Sequence, residues 1–417
     1  MRLRTWLFGQ VVGAAAIAGA ASCAQPECVV PDYRDPECRV LVENEVARLA
    51  AAGGGLELRF HAPAAPELDS WAARGALRAG ADGRVTARVA GLGDFLLSAR
   101  APASGPAMAT IDVDNVDPSA TVTVTPAAAV LEAAAPAGLR RTLTVQAAAG
   151  EVVTIRGERP CPGRFNLAFV GDVQTNPLHF ARILERMAAD AAALAAAGEP
   201  LVGLVLVGDL TEWSYDEEFR EIAGILARAP TPVAVTPGNH DIFRKIVASY
   251  NMIFGPGTYA TSICGVRVAL FDSGSAELAR SIEGRLPELF ERGDDALLIA
   301  ATHVPPHFGL TGDGWTREDQ AHVVLGELAL AEADLLVAGH VHALHDFQSV
   351  EAGEHSLREI VVGTGGATQG VGGARFGYLR VRIDGGGRLE PCFVEVPPPG
   401  WGGAANEPLS AALPYCE

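Results

Sequence analysis

Lysine is almost missing from this sequence. Lys245 is the only one, so 31 of the 32 basic residues are arginine, a skew that reads first as GC-rich coding and only second as a physical adaptation. Basic charge is scarce altogether: the 417 residues carry a formal net charge of −18, which argues against a nucleic-acid coat or a polybasic membrane-surface role. None of the seven cysteines stands in a CxxC spacing, which removes a zinc-ribbon reading. The most apolar stretch, Trp6 to about Ala21, is interrupted by Gly9, Gly13 and Gly19 and is short for a membrane span. The glycine run Gly363-Thr364-Gly365-Gly366 lacks the strand, helix and downstream acid of a dinucleotide fingerprint, and reads as a turn.

The length favours two domains with extensions. Arg2 and Arg4 ahead of the apolar stretch, with small residues behind it, form an export signal over residues 1–23. Ala20-Ala21-Ser22-Cys23 resembles a bacterial lipobox with Ala20 in place of the preferred leucine; ordinary cleavage nearby, for instance after Ala24, is the alternative. Lipidation of Cys23 leaves Cys28, Cys38, Cys161, Cys264, Cys392 and Cys416, an even set suited to disulfides in an oxidising compartment. The expected location is the periplasm or the cell surface, with a membrane anchor through Cys23.

Residues 24–55 read as a linker, with a helical apolar pattern from Val40 to Ala52 that stops at Gly53. Residues 56–160 carry short alternating runs such as Leu56–Phe60, Arg84–Val89, Thr121–Val124, Thr142–Val145 and Val152–Ile155, separated by turn residues. That texture predicts an antiparallel β-sandwich. It holds no polar cluster able to do chemistry, and its lone His61 is a structural or exposed group. Over residues 164–396, buried-looking strands alternate with amphipathic helices (Leu178–Ala197, Tyr215–Ala229, Ala276–Arg292 and Arg317–Ala331), the mark of a layered α/β domain with its chemistry at strand ends. Residues 397–417 are left as a C-terminal tail.

Polar groups follow those strands repeatedly: Asp172 and Gln174, then Asp209, then Asn239 and His240 in Gly-Asn-His-Asp (with Asp241 read as the cap of a helical pattern from Ile242 to Tyr250), then His303, then His340 and His342. One such group is a common turn or cap residue. Five strand ends that all carry them would be costly to bury without a metal or mutual pairing. Two carboxylates, two amide oxygens and three imidazoles suit two divalent ions of the Mn, Fe or Zn kind rather than calcium or copper. Such a centre would keep roughly one net positive charge after a bridging hydroxide, which attracts phosphate. The acidic surface does not oppose this, because bound ions dominate the local field.

The order of these motifs resembles the calcineurin-like metallophosphoesterases over roughly residues 164–396. The resemblance implies a four-layer αββα sandwich behind the all-β sandwich. It implies one metal on Asp172, Gln174, Asp209 and His342, and a second on Asp209, Asn239, His303 and His340. His240 takes the place of the catalytic histidine, contacting phosphate and assisting the leaving oxygen while a metal-bound hydroxide attacks. Gln174 stands where the family usually has histidine. The substrate is then a phosphate ester, with nucleic acid not expected and oligomeric state open. A non-catalytic surface scaffold with a degenerate fold is the alternative. His307 is a weaker candidate for substrate contact, as are Trp213, Tyr215 and Trp315. His345 and Asp346 are placed behind the ligands, and His179 and His322 on the surface.

Overall fold

The computed structural model describes residues 32–52, 55–61, 75–80, 82–244, 248–307, 314–352, 355–369, 375–400 and 412–416. The export signal, Cys23 and Cys28 lie outside these residues. Among the described residues, no helix is long and apolar enough to cross a membrane.

The first element is helix α1 (Pro36–Val46), opened by the Asp35 side chain accepting from Glu37 N–H and by Pro36 at the first helical position. Strand β1 (Arg48–Ala52) follows at once and pairs with the next strand. The helix therefore begins and ends earlier than the apolar pattern predicts, and residues 24–55 are not a free linker. Arg39 is buried and grips Asp272 (Nη2 to Oδ1, 3.1 Å), while Glu43 accepts from Gly257 N–H at 2.7 Å. The Glu37 carboxylate accepts from Ser281 through its hydroxyl at 2.7 Å. The partners of these polar α1 residues lie more than two hundred residues away.

The N-terminal sandwich continues with β2 (Leu56–His61), β3 (Gly75–Ala79), β4 (Val85–Val89), β5 (Phe95–Arg100), β6 (Ala107–Asp114), β7 (Thr121–Thr125), β8 (Val130–Ala133), β9 (Arg141–Ala147) and β10 (Val152–Glu158). One sheet runs β1-β2-β5-β10-β7 and the other β3-β4-β6-β9-β8. Period-two patterning sets the core: Val85, Ala87 and Val89 face inward while Thr86 and Arg88 face out. The first sheet is antiparallel throughout, as expected, and the second is not. Strand β5 crosses to the opposite sheet between β4 and β6, so β6 returns parallel to β4.

The second domain holds β11 (Phe165–Val170), α2 (Pro177–Ala196), β12 (Leu201–Val207), α3 (Asp216–Leu226), β13 (Val233–Thr236), α4 (Ser249–Phe254), β14 (Tyr259–Ile263), β15 (Val266–Leu270), α5 (Arg280–Glu283), α6 (Leu286–Phe290), β16 (Leu297–Ala301), α7 (Glu318–Leu330), β17 (Leu335–Ala338), β18 (Leu344–Ala352), β19 (His355–Val362), β20 (Gly377–Ile383) and β21 (Leu389–Glu395). The strands form two facing sheets, β13-β12-β11-β20-β21 and β14-β15-β16-β17-β19-β18. Leu167, Phe169, Val205 and Val207 point into the space between the sheets, meeting Val268, Leu270, Ile299 and Val337. Ala168, Val170, Leu204 and Leu206 point the other way, under Phe180, Ile183, Leu184 and Met187 of α2. The second sheet is covered in the same manner by α5, α6 and α7. Strands covered on both faces read as near-continuous apolar runs, and the result is a four-layer αββα sandwich.

Three departures from the sequence reading are local. The single helix expected over Ala276–Arg292 is two short ones, because Gly284 ends α5 and Pro287 sits in the first turn of α6. The helical pattern expected from Ile242 to Tyr250 is a 3-10 turn over Asn239–Ile242, with α4 starting only at Ser249. The C-terminal residues are not a loose tail. Leu413 is buried in the core between the sheets, Tyr415 bridges to Phe393, and Cys416 is bonded to Cys392. A second disulfide joins Cys161 to Cys264, and Cys38 is disulfide-bonded as well.

The two domains interlock at the edges of both central sheets. Val233, on edge strand β13, donates its N–H to Asn115 Oδ1 (2.7 Å) and accepts from Asn115 Nδ2 (3.0 Å), as it would from a neighbouring strand. On edge strand β14, the Tyr259 hydroxyl donates to Ala90 O at 3.0 Å, and Gly93 packs so close to Ser262 that a Cβ there would lie 2.1 Å from its carbonyl oxygen. Ala90 and Leu92 belong to the core between the sheets.

Candidate metal centre

Parallel strands β11, β12 and β13 of one sheet and β15, β16 and β17 of the other bring their C-terminal ends to one edge of the domain. Asp172 and Gln174 follow β11, Asp209 follows β12, and Asn239 with His240 follows β13. From the facing sheet, His303 follows β16 and His340 and His342 follow β17. Asp172, Asp209, His340 and His342 all hold positive φ, at 61°, 54°, 71° and 48°. Left-handed backbone at four non-glycine residues is unfavourable, and strain of this kind gathers at functional sites. Close approach of the loops depends on glycine: a Cβ on Gly208 would lie 2.5 Å from His303 Nδ1, and one on Gly238 2.2 Å from Asp209 Oδ1.

The side chains converge in two groups that share one residue. Asp209, His303 and His340 offer ligand atoms within 4.8 Å of one another, and so do Asp172, Asp209 and His342. Asn239 Oδ1 joins the first group, 2.9 Å from His303 Nε2 and 3.0 Å from His340 Nδ1. Gln174 joins the second, with Nε2 3.1 Å from His342 Nε2. Each carboxylate is pinned by a histidine backbone: His240 N–H donates to Asp209 Oδ1 at 2.9 Å, and His340 N–H to Asp172 Oδ2 at 2.9 Å. His303 Nδ1 donates to Val207 O (2.9 Å) and His342 Nδ1 to Thr368 O (3.0 Å), which turns their Nε2 atoms toward the carboxylates.

This donor set fits two cations. With its Nδ1 proton given to a carbonyl, His303 presents Nε2 to Asn239 Oδ1 and, at 3.3 Å, to Asp209 Oδ1. Three acceptors so close repel unless a proton or a metal lies among them. Asp209 Oδ2 and Gln174 Oε1 are buried without any partner, a costly state that cation ligation would relieve. The electrostatics agree in direction. Burial pushes the Asp172 carboxyl up to about 6, against His303. At Asp209 burial is outweighed by the His303 charge, which holds the carboxyl low, and the same pairing raises His303 despite its burial. A site that stabilises positive charge among its carboxylates in this way is suited to divalent ions.

Two supporting groups were not singled out by sequence. Asp241, read there only as a helix cap, accepts from Gly238 N–H at 2.9 Å, Leu210 N–H at 3.0 Å and Thr211 N–H at 3.0 Å, stapling the Asp209 loop to the Asn239 loop. Burial and the Asp209 carboxylate push its carboxyl up to about 7. The Gly363–Gly366 run, read as a turn, buttresses the first loop: Gly365 N–H donates to Gly171 O and Ala367 N–H to Asp172 O. Its signal was glycine at a strand end, which position alone does not separate from an ordinary turn.

Other candidates fall elsewhere. His307 packs edge-on against Phe347 at 4.8 Å, and His345 stacks on the same ring. Asp346 makes a two-pronged ion pair with Arg358 (2.9 and 3.0 Å). His179 is buried against Phe376 rather than on the surface. His322 is exposed. Trp315 is core, its indole N–H bonded to Val304 O, whereas Trp213 and Tyr215 are exposed. His61 is half-buried and bonded to Ser98.

Residues 165–344 match the family model of the calcineurin-like phosphoesterases, and this part of the chain is a domain of that family. Among solved structures, the chain is similar to a purple acid phosphatase from yellow lupin (Lupinus luteus) seeds, at 14% identity and a TM-score of 0.48 over 73% of this chain and 70% of that one. It is similar also to PhoD (13% identity, TM-score 0.42, 70% and 82% covered) and to a dimetal phosphatase from Danio rerio (12%, 0.37, 53% and 93%). No curated relative matches the sequence.

Proposed function

We propose that the chain is a metal-dependent phosphoric ester hydrolase with a dinuclear centre. The observation that carries this reading is Asp209, which belongs to both ligand groups and keeps one buried oxygen free of any hydrogen bond. Asp172, Gln174, Asp209 and His342 would hold one ion, and Asp209, Asn239, His303 and His340 the other. Mn, Fe or Zn suits these donors, and a pair of such ions supplies charge for the phosphoryl oxygens and acidifies a water. The residues of the chain do the rest. His240 donates an Nδ1–H hydrogen bond to Glu212 O at 2.8 Å, which fixes the ring; with both ring nitrogens protonated, the Nε2 proton would pass to the departing oxygen and leave the imidazole neutral. Its backbone N–H meanwhile steadies Asp209, so proton donor and shared ligand move as one unit.

Metal content of the purified protein, measured beside turnover of paired phosphate mono- and diesters, tests the reading. His240→Ala is expected to retain both metals and lose turnover by about a hundredfold or more, in line with loss of a general acid; unchanged turnover would remove the role given to His240. The scaffold reading rests on Gln174, whose amide nitrogen already occupies the His342 lone pair. A protein that takes up fewer than two metals and hydrolyses neither ester would favour it.

Export and anchoring through Cys23 remain part of the proposal. Disulfides at Cys161–Cys264 and Cys392–Cys416 are what an oxidising compartment allows.

A further inference from the structure

The segment that orients His240 also carries exposed aromatic rings. Trp213 is 57% exposed and Phe243 39%. Their ring centroids lie 6.0 Å apart, and the Phe243 ring lies 4.6 Å from the His240 imidazole. Tyr215 is also exposed, but Arg244 lies over its ring at 5.4 Å. The aromatic pair Trp213 and Phe243 thus forms a continuous surface that ends on His240.

The backbone beneath these rings is fixed. The Glu218 carboxylate accepts from Trp213 N–H at 3.1 Å and Tyr215 N–H at 2.8 Å. Ser214, buried and at φ 58°, donates its hydroxyl to His240 O at 2.6 Å and accepts from Phe243 N–H at 2.8 Å. Trp213 adjoins Glu212, whose carbonyl holds the His240 ring. A tryptophan kept more than half in water on a rigid loop loses burial energy that an ordinary surface residue would not forgo. Held rigid, it loses little entropy when a flat ring stacks on it.

We propose that Trp213 and Phe243 bind a planar aromatic leaving group of the phosphate ester, stacking it beside the histidine that protonates its oxygen. This rests on the phosphoester hydrolase reading. It makes Trp213 and Phe243 specificity-determining residues, which select by ring stacking what His240 then releases.

The test uses the metal-loaded protein. Turnover of 1-naphthyl phosphate and ethyl phosphate is compared in the native chain, Trp213→Ala and Trp213→Phe, beside equilibrium binding of the non-hydrolysable 1-naphthylphosphonate and methylphosphonate. The native-to-variant comparison cancels the intrinsic reactivity of the aryl ester. Trp213→Ala is expected to lower the naphthyl-to-ethyl ratio of kcat/KM about tenfold, mainly through KM, and to weaken naphthylphosphonate binding in step; Trp213→Phe restores most of both. An unchanged ratio with unchanged phosphonate binding overturns the inference and leaves the hydrolase reading intact. If the loaded native chain turns over neither ester, the hydrolase reading fails, and phosphonate binding that does not depend on Trp213 overturns the aromatic contact separately. Trp213-dependent attachment to phosphatidylcholine vesicles without any aryl preference would overturn it too, by making the surface a membrane contact.

Discussion

At the scale of single residues, the centre depends on what is missing as much as on its ligands. Gly208 has φ 88° and lies where a Cβ would meet the His303 ring at 2.5 Å. Gly208→Ala is therefore expected to displace His303 and cost at least ~1 kcal/mol from backbone strain alone. Metal analysis should find the ion held by His303 and His340 depleted, and thermal unfolding should shift down. Gly224 is the control: it lies inside α3 with nothing within 4 Å of an added Cβ. Gly224→Ala should be neutral or stabilise by up to ~1 kcal/mol. The candidate ligands could be singled out in sequence because polar residues at the ends of apolar strands need a reason. Asp241 was not, because its value lies in three backbone donors that come from two different loops. No local pattern encodes such a meeting.

At the scale of elements, α1 is the part least visible in sequence and most open to test. Desolvation, helped by the Asp272 charge, raises the Glu43 carboxyl from 4.5 to about 8. Between those two values the folded chain holds a proton that the unfolded chain has released. Stability is therefore full at lower pH and falls as pH rises through the window, until Glu43 ionises in the folded state. Glu359 on β19, raised to about 8 by burial, adds a slope of the same sign. Glu43→Gln should flatten part of the decline in Tm between about pH 5 and 8, and the double change with Glu359→Gln should flatten more; equal slopes in all three proteins would refute the account. Long, doubly covered strands such as β12 were readable from their apolar runs, whereas β1, β3 and β18 were not. Those strands lie at sheet margins, β1 and β3 rich in Ala and Gly and β18 half polar, and their pairing partners, not their own composition, make them strands.

At the scale of the whole molecule, the β-sandwich and the αββα domain should unfold as one. Asn115 supplies β13 with the hydrogen bonds of an absent neighbour, and Leu92 packs so tightly on Gly203 that a Cβ there would lie 2.7 Å from its side chain. Calorimetry is expected to show a single transition in the native chain. In Asn115→Ala it should be lower by about 1–3 kcal/mol, for a buried Val233 N–H left unpaired while its carbonyl keeps the Arg88 guanidinium; two transitions in the native chain would show that the domains are independent. Anchoring is tested at the same scale: Cys23→Ser should move the protein from the membrane fraction to the soluble one, and persistence in the membrane would remove the lipid anchor.

The same interlock bears on how the αββα domain can be handled or inherited. Cut away from the sandwich, it would show two bare strand flanks, one at Val233 and one at Ser262, side by side and ready to pair with the next molecule. A shortened chain would then be sticky before it was unstable. Gene fusions or expression trials that begin near residue 164 should fail first by self-association, with their ligand set still assembled.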